Sequence, residues 1–323
     1  MSARTPVLVV SQVDDPTADS VIDELNRRRI PVVRLDPGDF PERVAVRAQL
    51  GPDGLRGDIR TTTRVADLER IRSVYWRRPR PYAAPVGLSE QDARWCREEA
   101  RYGLGGVLAT LRGAHYVNHP WRNRDAEYKP AQLAAASNCG FDVPSTLLTN
   151  DPRSARAFVR RHQSVVYKPL RSTDYQDSEG RALTVWVEEV EPTSMGSGVS
   201  HTVHLFQKRV HAVADLRVTV VGQEVFTVRI EGSPGLDWRR HYGELSYRSI
   251  DTPGHLAHRV RTYMESFGLV FGAFDFGVDR DGRAWFYECN PNGQFAWFPE
   301  PITQRIVSAI ADRLQYAGEH LDP

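Results

Sequence analysis

The segment VFGAFDFGVDRDGRAWFYECNPNGQF, residues 270–295, sets carboxylates and an amide among aromatic side chains. Asp281-Gly282 is a hairpin signal, because both central residues of a tight two-residue turn need positive φ. With that pair as the turn, Arg280 faces Arg283 and, counting back along the ladder, Asp275 faces Glu288. Side chains directly opposed on neighbouring strands stand about 5 Å apart at Cβ. Two carboxylates that close, beside an aromatic shell, repel one another and are poorly solvated. A divalent cation removes the conflict, and Mg²⁺ takes hard oxygen ligands together with phosphate oxygens. Asn290 adds a neutral oxygen on the same face, since strand side chains alternate. The other reading is an exposed hairpin whose polar face meets water.

Lysine occurs three times, at Lys129, Lys168 and Lys208, whereas arginine supplies the remaining Lys-plus-Arg total of 42. Codon bias toward arginine accounts for the imbalance, but a lysine that persists under such a bias more often has a reason. A compact ammonium is not equivalent to a planar guanidinium at a crowded phosphate. Lys129 falls in EYKPAQL, Lys168 on the apolar strand VVYKP, and Lys208 in LFQKRV. Exposed, solvated lysines are the plain alternative. Asp215 and Arg217 of ADLRVTVVG share a strand face, while Arg229 falls on the opposite face if Gly222-Gln223 is the turn. His201, His204, His211 and His241 form no metal-ligand pattern.

These residues need a scaffold. PVLVVSQ, DPTADSVIDELNRRRI and PVVRLD predict a β-α-β start, followed by a hairpin, a further strand IRSVYWRRP and a long helix capped by Ser89. A second unit opens with one helix over RDAEYKPAQLAAASNCG, then a helix over about 152–162, the Lys168 strand, and a strand LTVWVEEV. Three consecutive strands, a helix over about 254–267 and the Asp275–Glu288 hairpin follow. The closing helix carries Ile302, Ile306, Ile310 and Leu314 on one stripe, so it packs on a core.

At 323 residues the chain has room for two or three α/β subdomains. Apolar content of 41% and charged content of 26% are those of an ordinary globular protein. A formal net charge of +1 gives no global field for nucleic acid or an anionic membrane. The N-terminus reads as a first strand rather than a signal peptide, and no apolar run reaches the ~20 residues of a membrane span. Cys96, Cys139 and Cys289 are far apart and lack CxxC spacing, which fits a reduced, cytoplasmic protein without disulfides or a zinc site.

The order of EYKPAQL, VVYKP, LFQKRV, DLRVTVVG and DFGVDRDGRAWFYECNPNGQF resembles the ATP-grasp superfamily over roughly residues 116–318. Within it, VYWRRPRPY, ADLRVTVVGQEVF, GLDWRRHY and ECNPNGQFAWF are similar to the graspetide (microviridin-type) peptide maturases. The resemblance implies an α/β (α+β) ATP-grasp fold with a pre-ATP-grasp domain at 1–115, a central subdomain at 116–203 and a C-terminal subdomain at 204–323. It implies ATP and Mg²⁺ as cofactors. Lys129 and Lys168 match the lysines that reach the nucleotide phosphates. FQKRV matches the hinge that binds adenine, giving Gln207, Lys208 and Val210; relatives usually carry Glu where this chain has Lys208. Asp275, Glu288 and Asn290 match the metal ligands. Asp215 and Arg217 match a DxR element near the reacting carboxylate, with Arg217 clamping an acyl phosphate and Asp215 orienting it.

The implied activity is ATP-dependent macrocyclisation of a ribosomal precursor peptide. Asp or Glu side chains become acyl phosphates, which Ser or Thr hydroxyls or Lys amines capture as esters or amides. A homodimer and a companion methyltransferase also follow from the resemblance. Two alternatives stay open: a ligase that adds glutamate to a protein or peptide, and a nucleotide-binding regulatory protein without chemistry.

Overall fold

The computed structural model describes residues 5–315 apart from position 53 and segments 172–174, 233–235 and 237–244. The chain begins as expected with β1 (Val7–Val10), α1 (Pro16–Arg27) and β2 (Val32–Leu35). Every residue of β1 is buried, as suits a parallel strand covered on both faces. Asp15 starts α1: its carboxylate accepts from the Thr17 and Ala18 N–H groups at 3.1 and 3.3 Å. The hairpin β3 (Ala45–Gly51) and β4 (Gly54–Arg60) gains a third strand, β5 (Val65–Asp67), that the sequence reading lacks. Next come β6 (Ser73–Trp76), the Ser89-capped α2 (Glu90–Ala109) and β7 (His115–Val117). Strands order as β2-β1-β6-β7, all parallel.

The helix expected over residues 124–140 is two. α3 (Pro120–Ala126) ends, and α4 (Lys129–Asn138) starts afresh. Pro130 explains the break, since a proline disfavours helical geometry in the residue before it and is well placed in a first turn. Lys129, expected early in a helix, is the first residue of α4.

β8 (Thr146–Thr149), α5 (Pro152–His162), β9 (Val165–Lys168), β12 (Glu188–Glu189) and β13 (His204–Lys208) form a second unit, its sheet ordered β12-β9-β13-β8. A small separate hairpin joins β10 (Tyr175–Gln176) and β11 (Ala182–Leu183). The single strand expected over LTVWVEEV is therefore split between β11 and β12, with residues 184–187 in neither strand. This unit has its own small core of Ala155, Val159, Val165, Met195, Val199 and Phe206.

The third sheet, ordered β16-β15-β14-β17-β18, comprises β14 (Ala214–Val221), β15 (Glu224–Glu231), β16 (Ser246–Ile250), β17 (Phe271–Val278) and β18 (Ala284–Asn290). Alternation along β14 separates its faces. Leu216, Val218 and Val220 pack towards α6 (Gly254–Phe267), while Val221 joins the other core. That other core is shared. α7 (Glu300–Gln315) buries Ile302, Ile306, Ile310 and Leu314 between the third sheet and the first domain's α1 and β1. Arg28 of α1 reinforces the junction with Asp312 at 2.5 Å and the Ser308 hydroxyl at 2.9 Å.

Candidate active site

Asp275 does face Glu288, but by a different route from a straight ladder. Val278 pairs with Ala284, so the connection holds one residue more than a two-residue turn, with Gly282 at φ 80° as its left-handed member. Asp279 closes it: its carboxylate accepts from the Asp281 and Arg283 N–H groups and from the Trp285 indole at 2.8 Å. These bonds hold the Asp279 carboxyl below the usual range, the indole contributing most and partial burial opposing it. Between Phe276–Phe286 and Asp275–Glu288 the register shifts back by a bulge at Tyr287. The longer turn and the bulge cancel at Asp275. The bulge also sends two successive residues, Tyr287 and Glu288, to one cavity, while Phe286 and Cys289 enter the core.

Each carboxylate of the pair has a cation. Arg217, opposite Asp275 on β14, holds it at 2.7 Å. Asp215 lies two residues along the same strand face as Arg217 and also lines the cavity. Lys129, at the start of α4, is ion-paired with Glu288. Arg229 sits on the other sheet face, opposite Leu216, and pairs with Glu231 at 2.6 Å.

The second unit supplies the facing wall. Lys168 at the end of β9 donates to the Gln207 side-chain oxygen at 3.3 Å and sits 4.8 Å from the centre of the Tyr287 ring. Gln207 is fixed in turn by donating to the Thr146 hydroxyl at 2.9 Å. Backbone N–H groups of Lys208 and Arg209 donate to the Ser145 and Ser164 carbonyls, whereas the Val210 N–H donates to no carbonyl among the described residues. The Lys208 side chain is exposed. Lys129, Lys168, Gln207, Lys208, Val210, Asp215, Asp275 and Glu288 all line one cavity of about 900 Å³. Trp186, Tyr287 and Arg78 line it as well.

Asn290 lies on the Glu288 face, opposite Ala273, and its side-chain oxygen accepts from the Asn292 N–H at 2.8 Å. The amide oxygen thereby closes the turn after β18 and keeps a second lone pair. Two facing carboxylates with an amide oxygen nearby make a hard-oxygen donor set that suits Mg²⁺. Among the described residues no group of three or more His, Cys, Asp or Glu forms a metal cluster. His211 lines the cavity, and His204 packs against the Tyr167 ring at a tilt. His241 and the DWRRHY stretch lie outside the described residues.

Several further residues shape the site. Asn118, buried after β7, accepts from the Val270 and Phe271 N–H groups and donates to the Phe271 and Pro291 carbonyls. It ties the first domain to both strands that bear the carboxylates. Gln132 of α4 does the same for β18, donating to the Cys289 carbonyl and accepting from its N–H. Arg77 and Arg78, at the end of β6, donate to the Asn292 carbonyl. Polar residues in an apolar surround were the available hint for Asn118 and Gln132; a paired arginine after a strand was the hint for Arg77 and Arg78.

Residues 6–124 match the family described as the MvdD pre-ATP grasp domain. No curated protein matches the chain by sequence. Among solved structures, the macrocyclase MdnC bound with precursor peptide MdnA, from Microcystis aeruginosa MRC, is similar over 97% of this chain and 100% of its own, with TM-score 0.87 and 26% identity. A RiPP-associated ATP-grasp ligase from Chryseobacterium gregarium, in complex with ADP and a leader and core peptide, covers 96% of each chain at TM-score 0.87 and 23% identity. PsnB, in complex with a phosphomimetic variant of a minimal precursor, Mg and ADP, covers 98% of this chain and 99% of its own at TM-score 0.76 and 21% identity. The fold expected from the motif order is the fold observed. The chain has an ATP-grasp fold, its residues 6–124 match the MvdD pre-ATP grasp domain, and its architecture is similar to that of these ATP-grasp ligases and macrocyclase.

Proposed function

We propose that the protein is an ATP-dependent macrocyclase of a ribosomally made precursor peptide. The observation that carries this reading is the single cavity lined by the Asp275–Glu288 pair, Lys129, Lys168 and the strand end at Gln207–Val210. The likeness to MdnC along the full chain supports a peptide as substrate.

In this reading Asp275, Glu288 and Asn290 would hold Mg²⁺, which would neutralise charge on the ATP phosphates. Lys129 and Lys168 add cationic charge on the same phosphates, and the Gln207–Val210 backbone receives adenine. An Asp or Glu carboxylate oxygen of the peptide attacks the γ-phosphorus, and ADP leaves. A Ser or Thr hydroxyl, or a Lys amine, of the same peptide then attacks the acyl carbon. The carbon–oxygen bond to phosphate breaks, inorganic phosphate departs, and the nucleophile's proton passes to solvent. Each ring costs the peptide one water. Arg217, held by Asp275, would supply positive charge toward the acyl phosphate. The protein's chief contribution is to hold both peptide groups together, which makes closure intramolecular. A homodimer and a companion methyltransferase acting on the product belong to the same proposal.

The test is mass spectrometry of the precursor peptide encoded beside the gene, after incubation with the protein and Mg²⁺–ATP. Loss of one or more water masses, located in rings by fragmentation, is expected. An unchanged mass with ATP bound, and a gain of one residue mass on adding free glutamate, would instead establish the amino-acid ligase.

A further inference from the structure

The loop that follows β18 holds two guanidiniums through its backbone carbonyls. The Asn292 carbonyl accepts from Arg78 Nε at 3.1 Å, and the Gln294 carbonyl accepts from Arg217 Nη2 at 3.2 Å. The loop itself is fixed from behind. Buried Arg77 also donates to the Asn292 carbonyl and lies 3.4 Å from the equally buried Asp15, the cap of α1. This is the end of the first domain's parallel sheet where β1 and β6 adjoin, and open α/β sheets bind ligands in such crevices. Here the crevice grips a loop of the third sheet and points the next residue, Arg78, into the large cavity.

Arg217 spends its Nη1 on Asp275. Arg78 spends only Nε, and its two terminal nitrogens donate to none of the described residues. Burial, reinforced by the Arg77 and Arg217 charges and opposed by Asp15, lowers its pKa to about 10, so it is a cation at neutral pH. A half-buried guanidinium with its fork unspent, in a cavity it shares with Lys129, Asp275 and Gln294, is a receptor for a two-oxygen anion.

We infer that Arg78 binds the anionic group of the substrate: the peptide carboxylate before phosphoryl transfer and the acyl phosphate after it. The inference rests on the nucleotide reading of the cavity and assigns the first domain a direct part in binding substrate. Arg78 contributes the unspent fork, and Arg217, whose terminal nitrogens are held by Asp275 and the Gln294 carbonyl, adds a nearby positive charge. Both are held by one loop, so the two stay in register with the Asp275–Glu288 pair.

The test uses inorganic phosphate, which carries the charge and oxygens of the transferred group. Its affinity for the full-length protein saturated with Mg²⁺–ADP is measured by calorimetry. Arg78→Gln should weaken phosphate binding tenfold or more, with ADP affinity within twofold of wild type and the melting temperature within a few degrees. Arg78→Lys, which keeps the charge but loses the fork, should fall between the two. Equal phosphate affinity in Arg78→Gln and wild type would overturn the inference. Parallel loss of ADP and phosphate affinity would overturn it too, reducing Arg78 to a brace for the loop. Wild type that binds Mg²⁺–ADP but no phosphate refutes the inference alone, whereas wild type that binds no Mg²⁺–ADP refutes the nucleotide reading beneath it.

Discussion

The Tyr287 phenol occupies the space that a β-carbon at Gly277 would need. Gly277 lies two residues beyond Asp275 on the same strand face, and Tyr287 is the bulge residue beside Glu288. Burial and the nearby Asp215 charge push the phenol's pKa upward, so it stays protonated and neutral under Lys168.

Gly277→Ala should therefore displace Tyr287 and disturb the bulge. Overpacking of this kind costs about 1–3 kcal/mol. The melting temperature should fall, and adding Tyr287→Leu should restore most of it. A Gly277→Ala protein as stable as wild type would show that the tyrosine moves aside freely.

Glu288→Gln keeps size and removes one of the two facing charges. Turnover should drop by about a hundredfold or more, the scale of losing one preorganised electrostatic group, while circular dichroism stays native. Near wild-type turnover at saturating Mg²⁺ would end the assignment of Glu288 as a metal ligand.

Lys168→Met removes the ammonium but keeps most of the stem. A hydrogen bond to a charged group is worth about 1.5–3 kcal/mol, or about ten- to a hundredfold in affinity. Calorimetry should show ATP binding weakened by that factor. Gln207→Leu, which frees Lys168 from its neighbour, should have a smaller effect. Unchanged ATP affinity in Lys168→Met would place the phosphates elsewhere.

Acid should loosen the joint between α1 and α7. Burial raises the Glu24 pKa, but hydrogen bonds from Arg28 and Arg27 outweigh it, and the carboxyl is held below its usual value. A lowered folded pKa means that the stabilisation is full above the unfolded value of about 4.3. It is lost as pH falls through the folded value. Thermal melts of Glu24→Gln should converge with wild type towards the acid end and diverge near neutrality. Curves separated equally at every pH would exclude the linkage.

The sequence exposed those parts of the site that lie on one strand or face each other across one hairpin. Asp275 and Glu288, the Asp215–Arg217 face and the Val221–Glu224 turn are all local patterns. The hairpin pairing survived a wrong turn length because the bulge restored the count, and no pattern in AWFYECN announces a bulge. Lys129 is legible from its motif, but the start of its helix is not, because the residue pattern runs on through Pro130. The residues joining domains were illegible for a different reason. Asn118, Gln132 and Arg77 act on backbone groups far away in sequence, and a backbone carbonyl leaves no mark on side-chain composition.

The shared core around α7 has a mechanical consequence. The first domain and the third sheet cannot separate without exposing Ile306, Ile310 and Leu314, so they form a fixed anvil that carries Arg78, Arg217, Asp275 and Glu288. The unit with Lys168 and Gln207 is centred on a different, smaller core. If the proposed peptide substrate requires the cavity to open, the separate core makes that unit the one to move, a jaw against a stationary floor.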